Sequence, residues 1–183
     1  RASDATGLRP QGVLNVVTGD SVAGGIELGE NSDVAKGAFT GSTATGRKSL
    51  AAAAHTIKKV TLELGGKSAN IVCPDADLDI AVDGALFGTF FHQGQMCESG
   101  TRLFVHDDIY DTFVDRLIDG AAALRVGDAA DFESQGGPII NRAQYDLILS
   151  AIERATRAGA TVAFGGGRAP NAHDVGDRDH DPL

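Results

Sequence analysis

The residue best suited to nucleophilic catalysis is Cys97, which lies in a predicted loop of glycines and polar residues. Residues 93–102 read Gln-Gly-Gln-Met-Cys-Glu-Ser-Gly-Thr-Arg. A thiol in this setting fits a nucleophile better than a core side chain, and we predict that its pKa is depressed or that it is readily activated. The other cysteine, Cys73, closes the run Asn70-Ile71-Val72-Cys73, which predicts an inert, packed side chain. We expect both thiols to be free.

The candidate catalytic carboxylate is Glu63, which lies between Leu62 and Leu64 and just before Gly65-Gly66. One interpretation places it on the outer face of a short strand. The other makes it a partly desolvated acid with a raised pKa, able to act as a general base.

Small residues form a turn between a predicted strand and a predicted helix, in the order Gly41, Ser42, Thr43, Ala44, Thr45 and Gly46. Such a turn lets a backbone approach a ligand closely, and the free N–H groups at the helix start suit a phosphate. The simpler alternative is an ordinary strand-to-helix turn.

The elements that would position these residues alternate along nearly the whole chain. Alternation of this kind predicts an α/β fold with mainly parallel sheets and helices on both faces. The predicted strands are residues 12–19, 34–40, 59–64, 68–73, 101–106 and 160–164, and the predicted helices are residues 22–28, 47–55, 77–91, 110–124 and 144–157. We place a domain boundary at the Gly65-Gly66 break.

The last stretch, residues 168–183, is polar and rich in Asp and His without periodicity, which predicts a loop or a frayed end. His173 and His180 stand there among several aspartates and superficially resemble metal ligands. A solvated tail is the favoured interpretation, so we predict no metal site.

The net charge of the chain indicates which classes of binding partner are disfavoured. The 183 residues carry a net charge of −9, which disfavours nucleic acid and anionic membrane surfaces. No apolar run approaches the ~20 residues of a membrane helix, and no secretory leader is recognisable. We therefore expect a cytoplasmic protein.

Several motifs in a fixed order resemble the aldehyde dehydrogenase superfamily. Leu62-Glu63-Leu64-Gly65-Gly66-Lys67-Ser68 and Gly94-Gln95-Met96-Cys97 resemble its glutamate and cysteine signatures, and Phe39-Thr40-Gly41-Ser42-Thr43 with Gly46 resembles its cofactor loop. The resemblance covers roughly residues 7–167 and also includes residues 12–19 and 75–79. The sequence departs from the pattern at Glu98-Ser99, where the family usually has small or apolar residues, and at His92, where many members carry Asn.

The resemblance implies an enzyme that oxidises an aldehyde to a carboxylic acid with NAD or NADP. It makes Cys97 the nucleophile that forms a thiohemiacetal and then a thioester, and Glu63 the base that activates water. It assigns cofactor binding to the loop from Gly41 to Gly46 together with Leu64 and Gly65. It also implies that residues 1–64 are the C-terminal part of a dinucleotide-binding domain, that residues 65–183 are the N-terminal part of a catalytic domain, and that the full-length protein is a homo-oligomer.

Three alternatives stay open at this point. A coenzyme-A-acylating relative would resolve the thioester with a thiol, although the intact Glu63 argues against it. A thiol hydrolase would need a histidine base, and only His92 is near Cys97 in sequence. The third is a non-catalytic fragment, because the resemblance places the family's oxyanion asparagine and cofactor lysine before Arg1 and its second cofactor glutamate after Leu183. We therefore expect an internal piece of a longer enzyme.

Overall fold

The computed structural model describes residue 10 and residues 12–19 and 21–167 of the chain. In chain order the elements are α1 (Ala23–Glu30), β1 (Lys36–Gly41), α2 (Thr43–Ala54), β2 (Lys59–Leu64), β3 (Ala69–Val72), α3 (Leu78–Phe90), β4 (Arg102–Val105), α4 (Tyr110–Ala123) and α5 (Arg142–Arg157). Short 3₁₀ turns lie at Phe91–Gly94 and Asp107–Ile109. Internal contacts divide the chain into two compact units, Arg1–Gly65 and Gly66–Leu183.

The first unit is built around the parallel pair β1 and β2. Its register sets Phe39 beside Leu62 and Gly41 beside Leu64. Half-buried and exposed positions alternate along β2, so Leu62 and Leu64 share one face and Glu63 takes the other. Helix α2 packs against both strands, and α1 packs against α2.

The second unit is built around the parallel pair β3 and β4, whose register sets Val72 beside Val105. Helices α3 and α4 cover the face that carries these residues. The core they enclose consists of Val72, Val82, Ala85 and the fully buried Phe113. Asp77 caps the start of α3 by accepting hydrogen bonds from the backbone N–H groups of Asp79 and Ile80 at 3.0 and 3.2 Å.

The predicted α/β class with parallel strands is confirmed. Two predicted strands are wrong, because the structure assigns no strand to residues 12–19 or to residues 160–164. Apolar alternation shows which side chains would face a sheet, but a strand also needs a neighbour to complete its hydrogen bonds. No strand among the described residues pairs with either segment, and Val17 is accordingly 90% exposed.

Helix α2 starts earlier than predicted, at Thr43 instead of residue 47. The cause is local, since Ser42 adopts extended backbone angles and its side chain accepts a hydrogen bond from the backbone N–H of Thr45. Residues 43–46 are therefore the first turn of the helix. In the described part of the chain, every helix is too short or too polar to cross a bilayer.

Candidate active site

The loop that carries Cys97 connects α3 to β4 and begins with a sharp reversal of the chain. His92, Gln93 and Gly94 have φ angles of 49°, 57° and 69°, which lie in the left-handed region. Glycine adopts this conformation freely, whereas it costs other residues roughly 1–2 kcal/mol each. The reversal at His92 and Gln93 therefore has to be stabilised by contacts elsewhere in the loop.

Two glutamine side chains supply such contacts. Oε1 of Gln95 accepts a hydrogen bond from the backbone N–H of Ile140 at 3.2 Å. In the amide orientation that satisfies both of its groups, Gln93 accepts from the backbone N–H of Gly137 at 2.9 Å and donates to the carbonyl of His92 at 3.2 Å. Both amides thus hold the loop against residues 137–140, a role that the sequence motif did not reveal.

The far end of the loop is held by backbone groups. The N–H of Gly100 donates to the carbonyl of Gly88 in α3 at 2.9 Å. At the start of β4, Nε of Arg102 donates to the carbonyl of Lys67 at 2.7 Å. Ser99 is buried, so the residue two places beyond Cys97 is enclosed while the cysteine itself is exposed. The thiol is therefore presented to solvent on a loop that is fixed at both ends.

Gly66 provides space for the backbone of the loop that carries Cys97. A Cβ atom at this position would come within 2.7 Å of the carbonyl oxygen of Cys97. That neighbour is a backbone atom and cannot rotate away, as the end of a side chain could. The second glycine of the Gly65-Gly66 break therefore has a packing role in addition to ending the strand.

The thiol of Cys97 donates a hydrogen bond to Oε2 of Glu98, with sulfur and oxygen 2.8 Å apart. This hydrogen bond, and after it the negative charge of Glu98, raise the pKa of Cys97 above its ordinary value. The same hydrogen bond lowers the pKa of the Glu98 carboxyl. The predicted depression of the Cys97 pKa is therefore wrong for this structure. The neighbouring carboxylate, which first stood out only as a departure from the family pattern, is the cause.

Cys73 also differs from its prediction, because it is exposed instead of packed in the core. Strand β3 ends at Val72, which is buried, and successive side chains along a strand point to opposite faces. Cys73 follows Val72 and opens the turn that leads into Pro74, so it faces outward. Both thiols are free.

His92 shows no geometry of a catalytic base. Its ring packs edge-on against that of Phe91, with centroids 4.3 Å apart and planes at 61°. The hydrogen bond of the Cys97 thiol goes to Glu98. These contacts do not support a hydrolase in which His92 activates the cysteine.

Glu63 belongs to the first unit, where it lies opposite Thr40 in the β1–β2 register. Its side chain is exposed, on the strand face opposite to that of Leu62 and Leu64. The desolvated environment that one interpretation assumed is not present around this carboxylate among the described residues. Its carboxylate is open to water.

The predicted cofactor residues lie together at the carboxyl ends of β1 and β2. Gly41 is paired with Leu64, Ser42 caps α2, and Gly65 directly follows β2. Gly46 is buried in the first turn of α2, where an added Cβ would come within 2.6 Å of Cδ2 of Leu64. Ligands of open α/β sheets bind outside the carboxyl ends of strands, and the start of a helix favours anions. The arrangement fits a dinucleotide diphosphate.

Beside the reversal at His92 and Gln93 lies an open cleft of about 430 Å³, which is lined further by Ala129 and residues 134–140. Neither Cys97 nor Glu63 lines it. The predicted tail with His173 and His180 lies outside the described residues.

Fold and site together define an α/β protein with a loop cysteine as its candidate nucleophile. The aldehyde dehydrogenase family model matches residues 2–177. The chain therefore belongs to the aldehyde dehydrogenase family, as the ordered motifs predicted.

Individual relatives agree with this assignment. The mitochondrial aldehyde dehydrogenase of Leishmania tarentolae is 46% identical over 158 residues, which make up 86% of this chain and 32% of that protein. The succinate-semialdehyde dehydrogenase structure from Burkholderia pseudomallei superposes with a TM-score of 0.84 at 44% identity, covering 90% of this chain and 34% of its own. The NAD⁺ complex of an aldehyde dehydrogenase from Bacillus cereus gives a TM-score of 0.77 at 44% identity, covering 79% of this chain and 30% of that one. The chain thus spans about a third of the length of the relatives it matches.

Proposed function

We propose that the intact protein containing this chain oxidises an aldehyde to a carboxylic acid with NAD or NADP. The observation that supports this most directly is an accessible thiol, that of Cys97, on a loop fixed at both ends in a member of the aldehyde dehydrogenase family. A fixed backbone holds a nucleophile in one place, which reduces the entropy cost of bringing it to the substrate.

The sulfur of Cys97 attacks the carbonyl carbon and forms a carbon–sulfur bond, and the thiol proton passes to solvent. The oxyanion of the resulting thiohemiacetal needs hydrogen-bond donors. A nicotinamide held by the first unit would supply the oxidant, and loss of a hydride from the thiohemiacetal carbon would leave a thioester on Cys97. Glu63 then takes a proton from a water molecule, the water oxygen attacks the thioester, and the carbon–sulfur bond breaks to release the acid.

Residues of the first unit would hold the dinucleotide. The first turn of α2, with Ser42 as its cap, offers N–H groups to the diphosphate, and the absence of a side chain at Gly46 lets α2 lie close to Leu64. Gly41, Thr43, Ala44, Thr45 and Gly65 complete the proposed cofactor surface. Residues 1–64 are then the C-terminal part of the dinucleotide-binding domain, and residues 65–183 are the N-terminal part of the catalytic domain.

The test is turnover in the intact protein, followed by the absorbance of the reduced nicotinamide with a set of aldehydes and either dinucleotide. Replacing Cys97 by Ser should abolish the signal, whereas Cys73→Ser should leave it unchanged. Undiminished turnover in Cys97→Ser would overturn the proposal. Adding coenzyme A separates the alternative chemistry, because an acyl-coenzyme A product instead of free acid would assign the protein to the acylating class.

A cytoplasmic location and a homo-oligomeric state remain predictions for the intact protein. The relative from Leishmania tarentolae is named as a mitochondrial enzyme, so family membership alone does not fix the compartment.

A further inference from the structure

The contact between Cys97 and Glu98 departs from two expectations for the loop that carries Cys97. Glu98 stands where the family pattern usually has a small or apolar residue, and its carboxylate opposes the predicted depression of the Cys97 pKa. The two side chains are adjacent in sequence, exposed, and joined by a hydrogen bond of 2.8 Å from thiol to carboxylate. A carboxyl group is a far stronger acid than a thiol, so the shared proton belongs to sulfur in the resting state. Thiolate, not thiol, is the nucleophilic form of cysteine.

We propose that Glu98 is a positioning residue for the reaction, whose carboxylate holds the Cys97 thiol in a hydrogen bond and thereby opposes formation of the nucleophilic thiolate. The inference rests on the proposed function, in which Cys97 is the nucleophile. Ionisation of the thiol would break this hydrogen bond and place two negative charges side by side. Both effects raise the free energy of the thiolate relative to that of the thiol.

No other charged side chain among the described residues accounts for the raised pKa of the Cys97 thiol. The segments around the loop carry His92 in the 3₁₀ turn, Lys67 before β3 and Arg102 at the start of β4. The Arg102 guanidinium is engaged with the Lys67 carbonyl. Glu98 is the sole charged side chain of the described residues that moves the pKa of Cys97, and it moves that pKa upward.

The experiment measures how fast iodoacetamide alkylates each cysteine of the intact protein as a function of pH. The thiolate sulfur forms a bond to the reagent's carbon, the carbon–iodine bond breaks, and iodide leaves, so the rate follows the thiolate fraction. Peptide mass spectrometry separates Cys97 from Cys73, which serves as an exposed reference within the same molecule. The variants are Glu98→Gln, Glu98→Asp and Asp83→Asn, the last of which removes an exposed charge from α3.

In Glu98→Gln we expect the pH midpoint of Cys97 alkylation to move to lower pH, with a severalfold higher rate constant near neutral pH. Glu98→Asp keeps the charge and should stay closer to the wild type, while Asp83→Asn should leave the Cys97 profile unchanged. Cys73 should react alike in all four proteins. An unchanged Cys97 profile in Glu98→Gln, or a midpoint moved to higher pH, would overturn the inference.

This readout does not depend on turnover, so the two proposals fail in different ways. If Cys97→Ser retained aldehyde oxidation, the proposed function would be wrong, whatever the alkylation profile showed. If Cys97→Ser were inactive and Glu98→Gln left the profile unchanged, only the role of Glu98 would be wrong.

Discussion

Single residues around Cys97 show how far a sequence motif describes a site. The motif pointed to Cys97 and Glu63 as the reacting groups, but not to the contact that raises the pKa of Cys97. Residue types around a thiol indicate a polar environment, whereas the direction of a pKa shift depends on whether the nearest group is a donor or a carboxylate. Cys73 illustrates a second limit, because an apolar neighbourhood in sequence did not predict which face of the strand it takes.

A prediction at this scale concerns Gly66, next to the carbonyl of Cys97. We expect Gly66→Ala to displace the backbone of one of the two segments, because the added Cβ would lie 2.7 Å from that oxygen. Denaturant unfolding of the intact protein should show a loss of about 1–3 kcal/mol, and turnover should fall with it. Gly84→Ala is the matched control, since its Cβ would meet nothing within 4 Å in the middle of α3. Equal stability and turnover in both variants would show that the loop has room to adapt.

At the scale of whole elements, the sequence predicted most of the helices and strands that flank the site. β2 has the predicted bounds, Lys59–Leu64, and α4 begins at the predicted residue, Tyr110. The predicted elements are wrong where contacts distant in sequence determine whether a strand forms, or where side-chain capping determines where a helix begins. The segments 12–19 and 160–164 lack a strand partner among the described residues, and the cap at Ser42 extends α2 by a turn toward its N-terminus. The periodicity of apolar residues within a segment indicates neither whether a strand has a partner nor where a side chain caps a helix.

The first turn of α2 is the element on which proposed cofactor binding depends. We expect Gly46→Leu to weaken dinucleotide binding by roughly tenfold or more, which corresponds to about 1.4 kcal/mol. The bulky side chain would collide with Leu64 and move the start of the helix away from the ends of β1 and β2. Cofactor titration of the intact protein measures the dissociation constant. Gly37→Ala in β1 is the control, because its Cβ would meet nothing within 4 Å. An unchanged dissociation constant for Gly46→Leu would show that this segment is an ordinary turn without a role in dinucleotide binding.

For the whole molecule, the central fact is that two compact units cover only about a third of the length of the family relatives. Each unit has a sheet of two strands among the described residues, and a two-stranded sheet is marginally stable by itself. Several large apolar side chains are exposed, among them Phe87 at 67% and Ile71 at 70%. Exposed apolar surface of this kind is suited to packing against other protein surface.

We therefore predict that residues 1–183, purified alone, do not turn over aldehyde and associate as their concentration is raised. Strand edges that are unpaired among the described residues and exposed apolar side chains favour association, and the oxyanion asparagine that the resemblance places outside these residues would not be supplied. Size-exclusion chromatography and a reduced-nicotinamide assay test both statements. Turnover within roughly tenfold of the typical enzyme value of ~10 s⁻¹ would show that the additional segments are dispensable.

The central claim is that Cys97 carries the acyl group and Glu63 activates the water that removes it. The most direct measurement is mass spectrometry of the intact Glu63→Gln protein after mixing with aldehyde and dinucleotide, followed by mapping of the modified peptide. Because deacylation should slow by about 10²–10⁴-fold without the base, we predict an acyl group that accumulates on Cys97 to near one equivalent, with none on Cys73. An adduct on Cys73, or no adduct together with undiminished steady-state turnover, would contradict the account.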